Sequence, residues 1–233
     1  MPQRKWILLA LIVAVGACAF ASADKTTPDP ATGVVVDKDK RTVTVDAKIA
    51  PRKIDAPGYD KIYPLEVVAC WAFPKGAKAH ETVVTFDAKP SDIHKAVESL
   101  GLKPGKPENG GENIPEGPAV NIYLDLPMDG GETKRVPIEK VMIDPKTKKA
   151  LGKRKWQFTG SAMVQPDPNK DAKVFGADVT GTLICIFPVT DLTVFQANLK
   201  FNDQKYVDLD NDKTLLPKEG TPVKLVIEVP EQK

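Results

Sequence analysis

The shortness of its apolar runs is the feature that most constrains what this chain can fold into. Prolines interrupt these runs along the whole sequence, and the 233 residues include 21 prolines. Proline cannot donate a hydrogen bond within a sheet, and it breaks the interior of a helix. The sequence therefore predicts a β-rich α+β fold, a single domain of short antiparallel strands and hairpins with one clear α-helix.

Two hairpins are predicted from runs of alternating apolar residues. The first joins residues 34–36 to residues 42–49 through a polar turn. The second joins residues 62–73 to residues 79–86 across the Pro-Lys-Gly sequence at residues 74–76. Further apolar runs predict strands at residues 120–126, 155–158, 181–187 and 223–229.

The helix is predicted over residues 90–100. Pro90 suits the first turn of a helix, where its missing N–H is not needed. Gly101 supplies a residue that adopts the left-handed conformation after the last turn. Between them, apolar residues recur at the helical spacing i, i+3, i+4 and i+7: Ile93, Ala96, Val97 and Leu100.

The first 23 residues have the pattern of a bacterial export signal. Arg4 and Lys5 give a positive start, residues 6–17 are apolar, and residues 21–23 are the small residues Ala-Ser-Ala. The apolar run is shorter than the roughly 20 residues that a membrane-spanning helix needs. The predicted organisation is a signal peptide at residues 1–23, a flexible leader at residues 24–32 and one domain at residues 33–230.

A second processing site is an open alternative. Residues 15–18 resemble a lipoprotein box, in which Cys18 would be lipidated and become the first residue. Apolar residues continue beyond Cys18, and this favours plain secretion. In both cases we expect an extracytoplasmic protein, secreted or periplasmic, with no transmembrane segment in the mature chain; a lipid anchor is the less favoured variant.

The charge balance argues against nucleic acid as a partner. The chain has 33 basic and 31 acidic residues, and two of the bases, Arg4 and Lys5, fall in the predicted signal. Residues 148–149 and 153–155 form a small basic cluster, which we interpret as a solvated turn. The adjacent Trp156 alternates with Phe158 as core residues of a strand do.

Two cysteines remain after the predicted signal, Cys70 and Cys185, and both stand in apolar runs. Free cysteine behaves as a small hydrophobic residue, so two buried thiols are one interpretation. An exported protein also permits a disulfide, so one Cys70–Cys185 bridge is the other. Spacing in the sequence does not choose between them.

The candidate binding residues are grouped around the two histidines. His80, Glu81, Asp92 and His94 lie within 15 residues of one another, with Cys70 nearby. Imidazole, carboxylate and thiol groups are metal ligands and acid–base groups, so their convergence would create a reactive site. Helical spacing places His94 on the flank of the helix, where partly exposed residues lie. We assign no catalytic residue, no metal and no cofactor.

Seven short segments follow one another along the chain: LEVV (65–68), KAHET (78–82), DAKPSDIH (87–94), LGLKPG (100–105), RVPIE (135–139), WQFTGS (156–161) and GADVTG (176–181). Together they resemble the YdjY-type domain of exported bacterial proteins. The resemblance implies an exported single-domain protein and carries no established activity. Some relatives bear a ferredoxin-like iron–sulfur label, but a cluster needs about four cysteine-type ligands, and only two cysteines follow the signal.

These observations favour a non-catalytic binding module whose partner is a cell-envelope protein, a glycan or a small ligand. The polar loops at residues 105–118 and 165–173 are the predicted adaptable surfaces. The alternative is a metal-binding protein or enzyme centred on the side chains of Cys70, His80, Glu81 and His94. An enzyme is the less favoured of the two.

Overall fold

The computed structural model describes residues 26–29, 33–169 and 171–231, and for residues 26–29 and 204–206 it describes the backbone alone. The predicted signal peptide and Cys18 lie outside these residues. Within them are two α-helices, α1 (Pro90–Glu98) and α2 (Ala177–Thr180), and three 3-10 turns at Ala79–Glu81, Ile138–Val141 and Phe201–Tyr206. The described part of the chain contains no helix long and apolar enough to cross a membrane.

Short strands make up most of the regular structure, as the frequent prolines predict. They are β1 (Thr26–Asp29), β2 (Val34–Asp37), β3 (Thr42–Ile49), β4 (Val67–Trp71), β5 (Thr82–Phe86), β6 (Ala119–Pro127), β7 (Thr133–Pro137), β8 (Met142–Ile143), β9 (Trp156–Phe158), β10 (Met163–Val164), β11 (Val174–Phe175), β12 (Thr182–Cys185), β13 (Phe195–Ala197), β14 (Asp210–Asn211) and β15 (Pro222–Glu228).

Eight of these strands close into a mixed β-barrel. The order around the barrel is β3, β15, β6, β9, β13, β12, β4 and β5, and β5 pairs with β3 to complete the ring. Neighbours are antiparallel except for the two parallel pairs, β4–β5 and β12–β13. The β-rich fold is therefore confirmed, but short hairpins describe it less well than a closed barrel does.

Closure depends on β3, because one of its edges is divided between two partners. The first half of that edge pairs with β2, where the amide of Asp46 donates to the Gly33 carbonyl at 2.9 Å. The second half pairs with β5, where the amide of Ala50 donates to the Val83 carbonyl at 3.0 Å. The whole of the other edge pairs with β15.

The barrel interior is the main hydrophobic core, and buried residues alternate with more exposed ones along much of β3 and along β6. On the neighbouring strands β3, β15 and β6, opposed residues such as Val45, Leu225 and Leu124 are fully buried. Phe158 and Phe195 oppose each other across β9 and β13, with ring centroids 5.5 Å apart. The interior is filled by side chains, so binding groups must lie outside it or at its ends.

The predicted helix and first hairpin are present. Helix α1 begins at Pro90 and buries Ile93 and Val97 in the main core, close to the predicted 90–100 limits. It packs against β2, β3 and α2 at one end of the barrel. Strands β2 and β3 form the first hairpin. Residues 26–29, within the predicted leader, form β1, which pairs with β2.

The second predicted hairpin is wrong, because β4 and β5 are parallel. The Pro-Lys-Gly sequence does form a turn, in which the amide of Gly76 donates to the Ala72 carbonyl at 3.0 Å. The chain then runs beside the segment before β12, where the amide of Ala77 donates to the Thr180 carbonyl at 2.9 Å. We call residues 72–81 the crossover segment, since it returns the chain to the end of the barrel at which β4 began.

Candidate functional site

The crossover segment places a cluster of charged groups on the outside of the barrel. The ammonium group of Lys78 lies within ion-pair distance of the carboxylates of Glu66 and Glu81, the second at 3.0 Å. Their side chains are 12–28% exposed. Glu66 immediately precedes β4, so only the parallel return of the chain brings these three residues together.

Burial sets the protonation behaviour of this cluster. It raises the pKa of Glu66, and the neighbouring carboxylate of Glu81 adds to the effect. Burial also acts to lower the pKa of Lys78, but hydrogen bonds to the two carboxylates outweigh it and raise that pKa. The ammonium group therefore stays charged between two acids, as in a structural ion-pair network.

The first candidate histidine, His80, is packed beside this cluster. Its Nε2 lies 3.2 Å from an oxygen of Glu81, and its ring contacts Tyr59 and Tyr63 at centroid distances of 4.7 and 5.2 Å. Burial lowers the pKa of His80, and the nearby positive charges of Lys78 and Arg52 lower it further. The neutral form of the imidazole is thereby favoured.

Arg52 fixes this end of the barrel, and sequence analysis missed it. Its guanidinium is buried and donates to a carboxylate oxygen of Asp210 at 2.8 Å. It also donates to the carbonyls of Tyr63 and His80, the latter at 3.4 Å. A charged group buried with several acceptors holds separate segments in place, so His80 is attached to the fold through its backbone as well as its ring.

The other candidates, Asp92 and His94, lie at the opposite end of the barrel. They belong to α1, which follows the last residue of β5, whereas His80 precedes its first residue. A five-residue strand spans roughly 16 Å. The structure therefore does not bring His80 and His94 together, and the described residues contain no group of three His, Cys, Asp or Glu side chains arranged to hold a metal.

At that end, His94 is partly buried on the flank of α1, as its helical position predicts. Its ring lies between those of Phe158 and Phe175, with centroids 4.9 and 5.0 Å away. Nε2 is 3.5 Å from Glu98, while Nδ1 is buried without a hydrogen-bond partner. Burial lowers the pKa of His94, against the opposing effect of Glu98. Asp92 forms a 3.8 Å exposed ion pair with Lys95 in the first turn of the helix.

Both cysteines lie outside the barrel interior, in a small second core. Cys70 and Cys185 are buried free thiols that pack with Val67 beneath the crossover segment. Gly76 is essential there, because a Cβ at this position would lie 1.9 Å from the Trp71 carbonyl oxygen and 2.9 Å from the Cys70 sulfur. Burial raises the pKa of Cys70 and raises that of Cys185 to about 12.

The strand register favours thiols over a bridge. Cys70 is opposite Thr182, and Cys185 is opposite Val67, so the two cysteines are offset by three residues along β4 and β12. Residues offset by two already lie about 7–8 Å apart between Cα atoms. A disulfide usually requires less than about 6.8 Å. The Cys70–Cys185 disulfide stays a prediction, and the thiol titration below tests it.

A cleft of about 530 Å³ lies beside β6, and sequence analysis did not predict it. One edge of β6 is divided between two partners: residues 119–120 pair with β9, and residues 123–127 pair with β7. The cleft opens where these partners diverge. We call it the β6 cleft; it is lined by parts of residues 121–123, 137–140 and 150–156.

One carboxylate organises the wall of the β6 cleft. A single oxygen of Glu139 accepts hydrogen bonds from the indole N–H of Trp156 at 2.9 Å and from the backbone amide of Arg154 at 3.3 Å. The Arg154 side chain donates to the Leu151 carbonyl at 3.0 Å, but its buried Nε has no partner. Trp156 and Phe158 are core residues, as predicted, and the exposed Lys153 and partly buried Arg154 of the basic cluster line the cleft.

The two predicted surface loops differ in how firmly the fold holds them. The first, residues 105–118, is anchored by a bridge between Lys106 and Glu116 and by the amide of Gly110, which donates to the Pro188 carbonyl at 2.7 Å. It exposes Ile114. The second is described over residues 165–169 and 171–173, which are mostly exposed.

Comparison with known proteins gives one family. The model of the YdjY domain matches residues 34–228, which is most of the chain. No curated protein and no solved structure matches significantly.

We predict that the chain with Cys18→Ser has two thiols that are unreactive in the native state. The thiolate is the reactive form, and burial both shields the sulfurs and raises their pKa values. Titration with a thiol-specific disulfide reagent should give almost no reaction in buffer and two equivalents in denaturant without reductant. Two equivalents that appear only after reduction would show a disulfide instead.

We also predict that stability falls between pH 7.5 and pH 5.5. Because burial lowers the pKa of His94 below its ordinary 6.5, the unfolded chain binds more protons than the native one as the pH drops through that value. His94→Gln should therefore show a smaller loss in the free energy of urea unfolding than the parent chain. An equal loss in both proteins would contradict the stated burial of this imidazole.

Proposed function

This chain belongs to the YdjY domain family, and we propose that it is an exported, non-catalytic binding module that holds a small ligand in the β6 cleft. Export is supported by the N-terminal sequence, in which Arg4 and Lys5 precede an apolar run and a small-residue cleavage motif. Binding is supported by two observations: the reactive residues predicted from the sequence are held in structural contacts, whereas the β6 cleft has the size of a ligand site.

The reactive types of side chain are occupied by structural contacts. Lys78 lies between two carboxylates, and the ring of His80 is enclosed by tyrosines. His94 is packed between phenylalanines at the far end of the barrel. These arrangements resemble fold-stabilising networks more than a nucleophile and base that face a substrate.

The β6 cleft has the size and chemistry of a ligand site. Its volume lies within the range of roughly 300–1,000 Å³ that small-molecule pockets occupy. Apolar walls combine there with a small number of polar groups, among which Glu139 is held in place by Trp156 and Arg154. The single observation that carries the proposal is this preformed cleft, one of whose lining residues, Arg154, has a buried Nε without an acceptor.

Binding is tested by filling the cleft. Ala150 lines it and is exposed, so Ala150→Trp should occupy the space without disturbing the core. In ¹H–¹⁵N spectra of the full chain titrated with a library of small fragments, we expect the signals of cleft residues to shift. Ala150→Trp should weaken the affinity of these fragments at least tenfold. The matched variant His80→Ala should bind as the parent does.

Binding at the histidines in place of the β6 cleft would contradict the proposal. If fragments shifted signals around His80 or His94, or if His80→Ala lost binding while Ala150→Trp kept it, the site would be one of those that sequence analysis put forward. Thermal unfolding of both variants shows that each is folded before titration.

Export is tested by the mass of the protein recovered from a bacterial host. We expect an extracytoplasmic protein whose chain begins at Asp24, since signal peptidase cuts after small residues such as Ala23. Replacing both Arg4 and Lys5 by glutamate should retain the chain in the cytoplasm. A parent chain recovered from the cytoplasm with Met1 still attached would contradict export.

A further inference from the structure

We propose that the ligand of the β6 cleft is a small organic anion with a flat apolar body, such as an aromatic carboxylate. This inference rests on the proposed function and adds the chemical class of the ligand. It is carried by the charges that line the cleft and by the shape and polarity of its walls.

The side chains that line the cleft have an excess of positive charge, and the Glu228 carboxylate beside it is bound to the Asn121 amide. Three cationic side chains line it, Lys140, Lys153 and Arg154, against one carboxylate, so the net charge of the lining is +2. Within the described residues, none of the three cations forms an ion pair with a carboxylate. The one acid, Glu139, is already engaged by Trp156 and by the Arg154 amide.

Arg154 is the group that an anion would satisfy best. Its Nε hydrogen is buried without an acceptor, which is costly for a charged donor, so a turn of the guanidinium toward an anion in the cleft would be favourable. A planar guanidinium binds a carboxylate through two parallel hydrogen bonds, so it selects a planar anion. Lys140 and Lys153 are exposed at the rim, where they add attraction for the same charge.

The walls favour an apolar body behind the anionic group. Most of the wall surface is apolar, with contributions from Tyr123, Pro137 and Ala150. The guanidinium of Arg135 already lies over the Tyr123 ring, 5.8 Å from its centroid, and fixes that side chain on the outside of β6. A flat ligand can lie along this surface while its charge reaches Arg154.

Two other clefts on the described surface lack this combination. One of about 480 Å³ includes Asp46 and Asp125, which are paired with Lys224 and Arg135. The other, of about 330 Å³, borders Arg52, whose guanidinium is bound to Asp210. The 330 Å³ cleft also has two lysines without a described ion pair, Lys213 and Lys218, but the guanidinium that borders it has its acceptors, whereas the Nε of Arg154 has none.

The experiment compares three naphthalene derivatives of one size with the full chain. The probes are 2-naphthoate, the neutral 2-naphthalenemethanol and the cationic 2-naphthylmethylamine, with affinity measured by calorimetry. The indole N–H signal of Trp156 reports on the cleft, and that of Trp71, bound to the Ala88 carbonyl elsewhere, is the internal control.

We expect 2-naphthoate to bind at least tenfold more tightly than the neutral probe and to shift the Trp156 signal but not that of Trp71. Its affinity should fall with added salt, because rim charges are screened. The double variant Lys153→Gln, Arg154→Gln should lose this tenfold preference. Lys218→Gln, at an exposed lysine of the 330 Å³ cleft, is the matched control and should keep it.

Each contrary outcome identifies what has failed. If all three probes shifted the Trp156 signal with equal affinity, the cleft would bind ligands, and only the inferred anionic class would be wrong. A preference for 2-naphthoate that survived in the double variant would also overturn this class. If no probe shifted the Trp156 signal and the fragment library found no cleft ligand either, the proposed function would fail with it.

Discussion

The rest of the structure depends on the hydrogen bonding of β3 to three neighbours. The strand pairs with β15 along one edge, while its other edge passes from β2 to β5 between Asp46 and Ala47. Without the second half of that edge the sheet would stay open, and the backbone groups of β3 and β5 would lack partners. Closure turns the apolar faces of eight strands into one filled core, which leaves only the outer surface and the two ends for binding.

A second divided edge, that of β6, has the opposite consequence. There the edge passes from β9 to β7, but the two partners diverge and leave a gap. The chain between them folds over this gap and contributes Glu139 and Arg154 to its wall. The pairing of one strand edge with two partner strands thus closes the barrel at β3 and leaves a cleft at β6.

Sequence alone predicts the features that depend on nearby residues. The apolar spacing of α1 and the alternation of β3 are local, so both elements were predicted with nearly correct limits. The direction of β5 was not, because it depends on pairing with β3 and β4 and on contacts between residues distant in sequence, such as the hydrogen bond from Ala77 to Thr180. The pairing of Lys78 with Glu66 follows from that same parallel return.

The candidate site also combines features that nearby residues predict with features that depend on residues distant in sequence. His80 and His94 were grouped because they are close in the sequence, yet β5 separates them by the length of the barrel. The β6 cleft was missed because its lining comes from three separate segments, and only residues 153–156 gave a local signal of adjacent positive charge and indole. Closeness in the sequence therefore indicates which types of residue could form a site, but strand pairing determines which of these residues lie close together in the fold.

Native-state hydrogen exchange at the two edges of β3 tests the closure most directly. The Ala50 amide donates across the β3–β5 junction, and the Ile49 amide donates to the Thr221 carbonyl on the β15 side, at 3.0 Å in both cases. If the barrel is closed, both amides should exchange only through global unfolding and at the same slow rate. An Ala50 amide that exchanges as fast as an exposed loop amide would show an open sheet edge and contradict this account.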